Sequence, residues 1–389
     1  MSIIKLGSCF TGIGAWEKAL NRLGVNYELQ WFSEIDKYAI KSYCAVHNET
    51  PEKNMGDITQ ADEKTLAEVD MIVYSPPCQS FSIAGKGGGT NDSRGVLFYD
   101  ALRIIKDKQP KCAVMENVKN LAGKKFRNEY LQMLSDLDQA GYNSYSKVLN
   151  SKDYGVPQNR ERVFIVSIRK DIDPYKNNFE GYPFPQPFDN GLRLKDFLEK
   201  TVDEKYYISE EKTKKLTDEL KNKQFKEPKI IEDFYSNRNI RIYDSCPTLR
   251  SERNGLKVVE NSNEFNIKSC SLRTRSYRGQ PQQLEIRKDD VSNTVTTVAK
   301  DSLVASFEKI IEGLKIRRLT PKECWRLQGF SNLDFDKAQE TGNSETQLYR
   351  QAGNSITVDV LCYLLAPVLQ DLFKNAFPES SNTNAFKIS

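Results

Sequence analysis

The chain has 389 residues, enough for one large domain and a smaller one, each with its own core. Hydrophobic residues at 38% and charged residues at 28% exclude a disordered chain, and the net charge of +4 does not by itself announce a nucleic-acid partner. Eight scattered cysteines without a C-x-x-C pair, and a single histidine, His47, argue against a zinc site and a disulfide scaffold. No apolar run approaches a membrane span and no basic leader precedes the first strand-like segment, so a cytoplasmic protein outside the membrane is expected.

Taken in chain order, Ile3 to Phe10 is predicted as a buried strand ending in the glycine turn Gly12-Ile13-Gly14. Ala15 to Leu23 follows as a helix stopped by Gly24, Tyr27 to Ser33 as a second strand, and Asp36 to about His47 as a second helix. Met71-Ile72-Val73-Tyr74 is a short strand running into Ser75-Pro76-Pro77, and Cys112-Ala113-Val114-Met115 another, running into Glu116-Asn117. Arg162 to Val166 is a third. This alternation predicts a mostly parallel α/β sheet with helices on both faces and ligands beyond the carboxyl ends of its strands. The rhythm stops at Pro183-Phe184-Pro185-Gln186-Pro187, a linker candidate. Residues 190–310 look irregular, apart from a charged helix around Ser209 to Lys226. Thr320-Pro321-Lys322-Glu323 carries a helix start with a capping box, and Gly353-Asn354-Ser355 precedes a last apolar helix from about Val358 to Phe373.

Phe10-Thr11-Gly12-Ile13-Gly14 sits on a strand-to-helix turn, where glycine lets the backbone approach a ligand. A turn with no ligand would look the same, so the weight falls on two acids downstream. Glu34 ends the second strand, where a carboxylate can accept both hydroxyls of a ribose. Asp57-Ile58 follows a third strand-like region, where Asp can accept from an adenine amino group. A nicotinamide enzyme would carry G-x-G-x-x-G, but position 17 is Glu. The nucleoside half of S-adenosylmethionine fits at least as well.

In Ser75-Pro76-Pro77-Cys78-Gln79, two prolines stiffen a loop at a strand end and hold the next side chain. Amino-methyltransferases place a stacking aromatic after such a Pro-Pro; here a cysteine stands there. Cytosine C5 is a poor nucleophile unaided, and a thiolate adding to C6 turns C5 into an enamine carbon that can take a methyl group. A buried, inert cysteine is the competing reading. The chemistry also needs a group at N3, and Glu116 at the end of the next strand supplies a carboxyl that burial would have to keep protonated. The arginines of Gln158-Asn159-Arg160-Glu161-Arg162 can clamp cytosine O2 and steady Glu116, where a solvated charged turn is the plainer alternative.

With these pieces in order, the chain resembles the bacterial and phage DNA (cytosine-5)-methyltransferase family over nearly its whole length. The resemblance continues through Arg318-Leu319-Thr320-Pro321-Lys322-Glu323, Leu327-Gln328-Gly329-Phe330 and Gln351-Ala352-Gly353-Asn354-Ser355. It implies a Rossmann-like, S-adenosylmethionine-dependent catalytic domain over 1–184 and 346–389, with a smaller, irregular target-recognition domain and hinge over 185–345. It implies that Cys78 attacks C6, Glu116 engages N3 and Arg162 holds O2. Phe10, Gly12, Gly14, Glu34, Ile35, Asp57, Ile58, Pro77, Leu97, Asn354 and Ser355 would surround the cofactor, with no metal. Two departures stand out: Ser75-Pro76 where many relatives have Gly-Phe, and Ala15 where many have a third glycine.

A base inside a duplex is out of a thiolate's reach, so the target must be flipped out onto a positively charged surface. From Arg238 to Arg278 nine basic residues face four acids, a local surplus larger than the charge of the whole chain. Arg273, Arg275 and Arg278 surround Tyr277 and can reach phosphates or guanine edges, and Gln79 and Ser82 join them as DNA contacts beside the nucleophile. The expected partner is double-stranded DNA, methylated by a monomer, with a companion restriction endonuclease as a functional partner. A tRNA methyltransferase on the same core and a catalytically silent DNA-binding regulator are the rivals. The long basic insert favours a duplex reader over the first, and Cys78, Glu116 and Arg162 together argue against the second.

Overall fold

Short apolar runs that end at turns become strands buried on both faces, because helices cover each side of the sheet. The computed structural model describes residues 2–77, 96–211, 232–233, 240–241, 255–260, 268–273, 283–286, 292–293, 301–306 and 315–377. Strands β1 (Ile4–Cys9), β2 (Tyr27–Ser33), β3 (Met71–Tyr74), β4 (Cys112–Val118) and β5 (Tyr142–Asn150) are followed by the two-residue β6 (Gln158–Asn159) and by β7 (Glu161–Arg169). Six of them form one sheet in the order β2-β1-β3-β4-β7-β5.

The first four strands in that order are parallel, as predicted, whereas β7 runs antiparallel to both β4 and β5. The reversal has a consequence for the site. It pairs Val118 with Arg162, so the start of β7 lies at the carboxyl end of β4. A parallel β7 would have carried Arg162 to the opposite edge.

Side chains alternate across the strands. Ile72, Tyr74, Ala113, Met115, Val163 and Ile165 pack with Phe98, Leu102 and Ile105 of α3 (Val96–Lys108) and with Met133 and Leu137 of α4 (Arg127–Gln139). Each such side chain contributes about 2 kcal/mol by leaving water. The chain after Val360 returns to α1 (Ala15–Arg22): Cys362 Sγ lies 3.8 Å from the Ala19 carbonyl oxygen, and Asn26 N–H donates to the Ala376 carbonyl at 3.0 Å. The second helix, α2 (Lys37–His47), is capped by Asp36, whose carboxylate accepts from Tyr38 N–H at 2.9 Å.

Two units divide the chain, one of Met1–Asn150, Glu161–Pro187 and Val360–Ser389, the other of Ser151–Arg160 and Phe188–Asp359. In this division the chain rejoins the first unit at Val360. The helix Glu345–Asn354 belongs to the second unit because it packs on the helix Pro321–Arg326: Trp325 Nε1 donates to the Leu348 carbonyl at 3.0 Å, and the Tyr349 hydroxyl to the Leu319 carbonyl at 2.5 Å. The capping box at Thr320 forms as expected, Thr320 Oγ1 accepting from Glu323 N–H at 3.1 Å and Glu323 Oε2 from Thr320 N–H at 2.8 Å.

The second unit corrects one expectation. Within 190–310, read as irregular, strands β8 (Glu232–Asp233) and β9 (Ile240–Arg241) pair with each other. β10 (Gly255–Glu260), β11 (Lys268–Arg273), β12 (Gln283–Ile286), β14 (Asp301–Ser306) and β15 (Lys315–Arg318) form a five-stranded sheet, order β10-β15-β14-β11-β12. The short β13 (Ser292–Asn293) pairs with β6. Apart from Ser209 to Glu211, the charged helix expected around Ser209 to Lys226 lies outside the described residues. The last apolar helix, expected from about Val358 to Phe373, spans Val358–Leu372. Taken with the helix before it, Glu345–Leu372 is long and apolar enough to cross a membrane, against the expectation that no run would be, but 78% of its apolar window is buried, as in a core helix.

Candidate active site

The carboxyl ends of β1, β3 and β4 lie side by side, since Cys9 pairs with Tyr74 and Tyr74 with Met115. The turn after β1 is wound tightly. Phe10, Gly12 and Gly14 all have positive φ, at 58°, 57° and 79°. For Phe10 this left-handed backbone costs about 1–2 kcal/mol, a local strain held by its surroundings. The two glycines are required for different reasons. A Cβ on Gly14 would stand 2.2 Å from His47 Nε2, while one on Gly12 would meet nothing within 4 Å. Gly14 is thus packed from behind, and Gly12 faces open space.

His47, the single histidine of the chain, serves this turn. Its Nε2 lies 3.1 Å from the Ile13 carbonyl, which can only accept, so Nε2 carries the proton. Its ring packs on Tyr43, whose hydroxyl donates to the buried Glu17 at 3.0 Å. Burial holds the Glu17 carboxyl above its ordinary range, against hydrogen bonds that lower it.

Glu34 closes the turn from the β2 side. Its Oε2 accepts from Gly12 N–H at 2.8 Å, and its Oε1 from the Ile35 and Asp36 N–H groups, each at 2.9 Å. Asn54, which the sequence reading did not single out, clamps the backbone of Glu34: its side chain accepts from Glu34 N–H at 3.1 Å and donates to the Glu34 carbonyl at 3.0 Å. The chain then reaches Asp57 through a loop rather than the expected strand, with only an isolated bridge between Phe32 and Asn54. Asp57 caps a short turn by accepting from Thr59 N–H at 3.0 Å, and Arg103 Nη2 donates to the Ile58 carbonyl at 2.6 Å. Ile35 is 75% exposed and Ile58 only 2%, so of the two only Ile35 presents an open apolar surface. Phe10 and Leu97 are partly buried against the core beneath.

After β3, Pro76 is buried and Pro77 exposed. Trp16 Nε1 donates to Ser75 Oγ at 3.1 Å, and Asn117 Nδ2 to the Pro76 carbonyl at 3.0 Å. Cys78, Gln79 and Ser82 lie outside the described residues, as do Arg275 and Arg278; Arg273 ends β11. Glu116, 8% exposed, sits near the end of β4 and pairs with Arg162 Nε at 2.9 Å. Arg162 Nη1 donates to the Glu161 carbonyl at 2.8 Å.

Arg160 behaves differently from Arg162 although two residues away. In the second unit, 3% exposed, it donates through Nη2 to the carbonyls of Ser355 at 2.6 Å and Gly353 at 3.2 Å. Its guanidinium braces the end of the helix Glu345–Asn354, where Asn354 is exposed and Ser355 buried. Asn54 and Trp16 carried no signal that sequence alone would raise, and the parts played by His47 and Ser75 show only in contacts made by folding.

The family profile of the C-5 cytosine-specific DNA methylases matches residues 4–369. The chain is 38% identical to the orphan methyltransferase M.SPRI of Bacillus phage SPR, over 93% of this chain and 96% of that protein. It is 31% identical to the type II methyltransferase M.HhaI of Haemophilus parahaemolyticus, over 91% of each. Among solved structures, the S. pombe Dnmt2 methyltransferase matches with a TM-score of 0.61 at 18% identity, covering 95% of this chain and 99% of that one, a likeness of fold. Matched almost end to end by one family profile and by phage and bacterial relatives, the chain belongs to the C-5 cytosine-specific DNA methylases.

Proposed function

We propose that the enzyme flips a cytosine out of a specific duplex site and methylates it at C5 through a covalent Cys78–C6 adduct. The observation that carries this reading is the Glu116–Arg162 pair, 2.9 Å apart on the same sheet edge as Ser75-Pro76-Pro77, which leads into Cys78. The Cys78 thiolate would form the S–C6 bond and push the C5=C6 electrons onto C5. Glu116, acting in its protonated form, would donate its proton to N3, where the charge spreads from C5, and take it back as the thiolate leaves; it would be held in place by Arg162, which would also donate to O2. After methyl transfer to C5, loss of the C5 proton and departure of the thiolate restore the C5=C6 bond.

Family and fold imply S-adenosylmethionine, which supplies an electrophilic methyl group and leaves as S-adenosylhomocysteine. The residues fit it: the open face at Gly12, the Glu34 carboxylate beside it, the exposed Ile35 and the exposed Asp57. Phe10, Gly14, Ile58, Pro77 and Leu97 would line or support this site. Arg160 would act as a positioning residue, since its Nη2 donates to the carbonyls of Gly353 and Ser355.

Residues of about 185–345 would read the DNA, with Arg273, Arg275 and Arg278 as candidate contacts and Gln79 and Ser82 beside the flipped base. The protein would act as a cytoplasmic monomer, with a companion restriction endonuclease as a functional rather than a bound partner. Bisulfite sequencing of DNA from cells expressing the protein tests the reading. Protected cytosines in one short sequence context are expected; label from the cofactor appearing in tRNA and not in duplex DNA would overturn it.

A further inference from the structure

Ser75 is held at two points. Its N–H donates to the Cys9 carbonyl at 3.3 Å, extending the β1–β3 ladder by one residue, and its Oγ accepts from Trp16 Nε1 at 3.1 Å. Trp16 is 2% exposed and stands two positions after Gly14, in the first turn of α1. An indole N–H can only donate, and when buried it needs an acceptor. A glycine at 75 would offer it no side-chain oxygen. The next residue is tied from the other side, Asn117 donating to the Pro76 carbonyl at 3.0 Å.

From Ser75 to Cys78 the chain has few soft torsions, because Pro76 and Pro77 each fix φ near −65°. Pro76 and Pro77 thus make a stiff link from Ser75 toward the following residue in the sequence. We propose that Trp16 is a positioning residue for the nucleophile, acting through its hydrogen bond to Ser75. The inference rests on the reading of Cys78 as that nucleophile. Ser75 supplies the acceptor, and Pro76 stiffens the link.

The test is steady-state kinetics on S75A, S75T, W16F and W16F/S75A, with S-adenosylhomocysteine affinity measured in parallel. S75A should lower kcat about fivefold, the effect of losing one hydrogen bond, while KM for S-adenosylmethionine and the product affinity stay within about twofold. S75T, which keeps the acceptor oxygen, should restore most of kcat. W16F should match S75A, and the double variant should be no slower than the worse single one, as for two halves of one interaction. An unchanged kcat in S75A, a loss confined to KM, or losses that multiply in the double variant would overturn the proposal. If W16F does not fold, S75A and S75T decide alone. Duplex DNA carrying 5-fluorocytosine, which cannot lose a C5 proton and so retains the adduct, separates the two readings. No adduct with the wild type counts against Cys78 as nucleophile; an adduct formed by S75A at the wild-type rate counts against the brace alone.

Discussion

The guanidinium of Arg162 is shared between the Glu116 carboxylate and the Glu161 carbonyl, and a lysine at that position cannot serve both with a planar fork. R162K should therefore lower kcat about a hundredfold, in the range for removing a donor to developing charge, with KM for S-adenosylmethionine little changed. A rate within a few fold of wild type would show that Arg162 is dispensable to the chemistry. At this scale the sequence was legible in part. Glu116 and Arg162 announce themselves as charged residues beside strands, but their contact depends on the direction of β7, which no local pattern encodes. Arg160 shows the same limit from the other side: two positions away in sequence and identical in chemistry, it donates to the carbonyls of Gly353 and Ser355, almost two hundred residues onward.

Among the elements, the glycine turn offers the sharpest contrast. Alanine at either Gly12 or Gly14 adds about 1–2 kcal/mol of left-handed strain. Only at Gly14 does the new Cβ also run into His47. G14A should therefore show the larger drop in thermal stability. G12A should keep more stability yet lose at least tenfold in S-adenosylmethionine affinity, because its Cβ fills the face left for the ligand. Equal melting temperatures for the two, with cofactor binding intact in G12A, would contradict that assignment. Strands buried on both faces, such as Met71–Tyr74, were readable as apolar runs. The edge strand β5 was not, since Asn143 to Lys147 are half-buried or exposed and carry no clean alternation. The sheet of the second unit was missed for a similar reason: its strands are short and rich in Lys, Ser, Glu and Gln.

For the whole molecule, the net charge of +4 conceals a local surplus of positive charge between Arg238 and Arg278, where nine basic residues stand against four acids. Replacing Arg275 with alanine should weaken duplex binding and reduce the slope of log affinity against log salt by about one, leaving cofactor affinity intact. An unaltered slope and unaltered site preference would remove Arg275 from the interface. The order of motifs made the catalytic core readable from end to end, whereas the return of the chain to it at 360 depends on the packing of the helices Pro321–Arg326 and Glu345–Asn354. The most direct test of the central claim joins both levels: the wild-type enzyme is incubated with S-adenosylmethionine and a duplex carrying 5-fluorocytosine at its target, and the product is mapped by peptide mass spectrometry. One chain joined to each duplex through Cys78, and no adduct with C78A, is the expected result; a methylating enzyme whose adduct forms elsewhere, or forms equally well in C78A, would contradict Cys78 as the nucleophile.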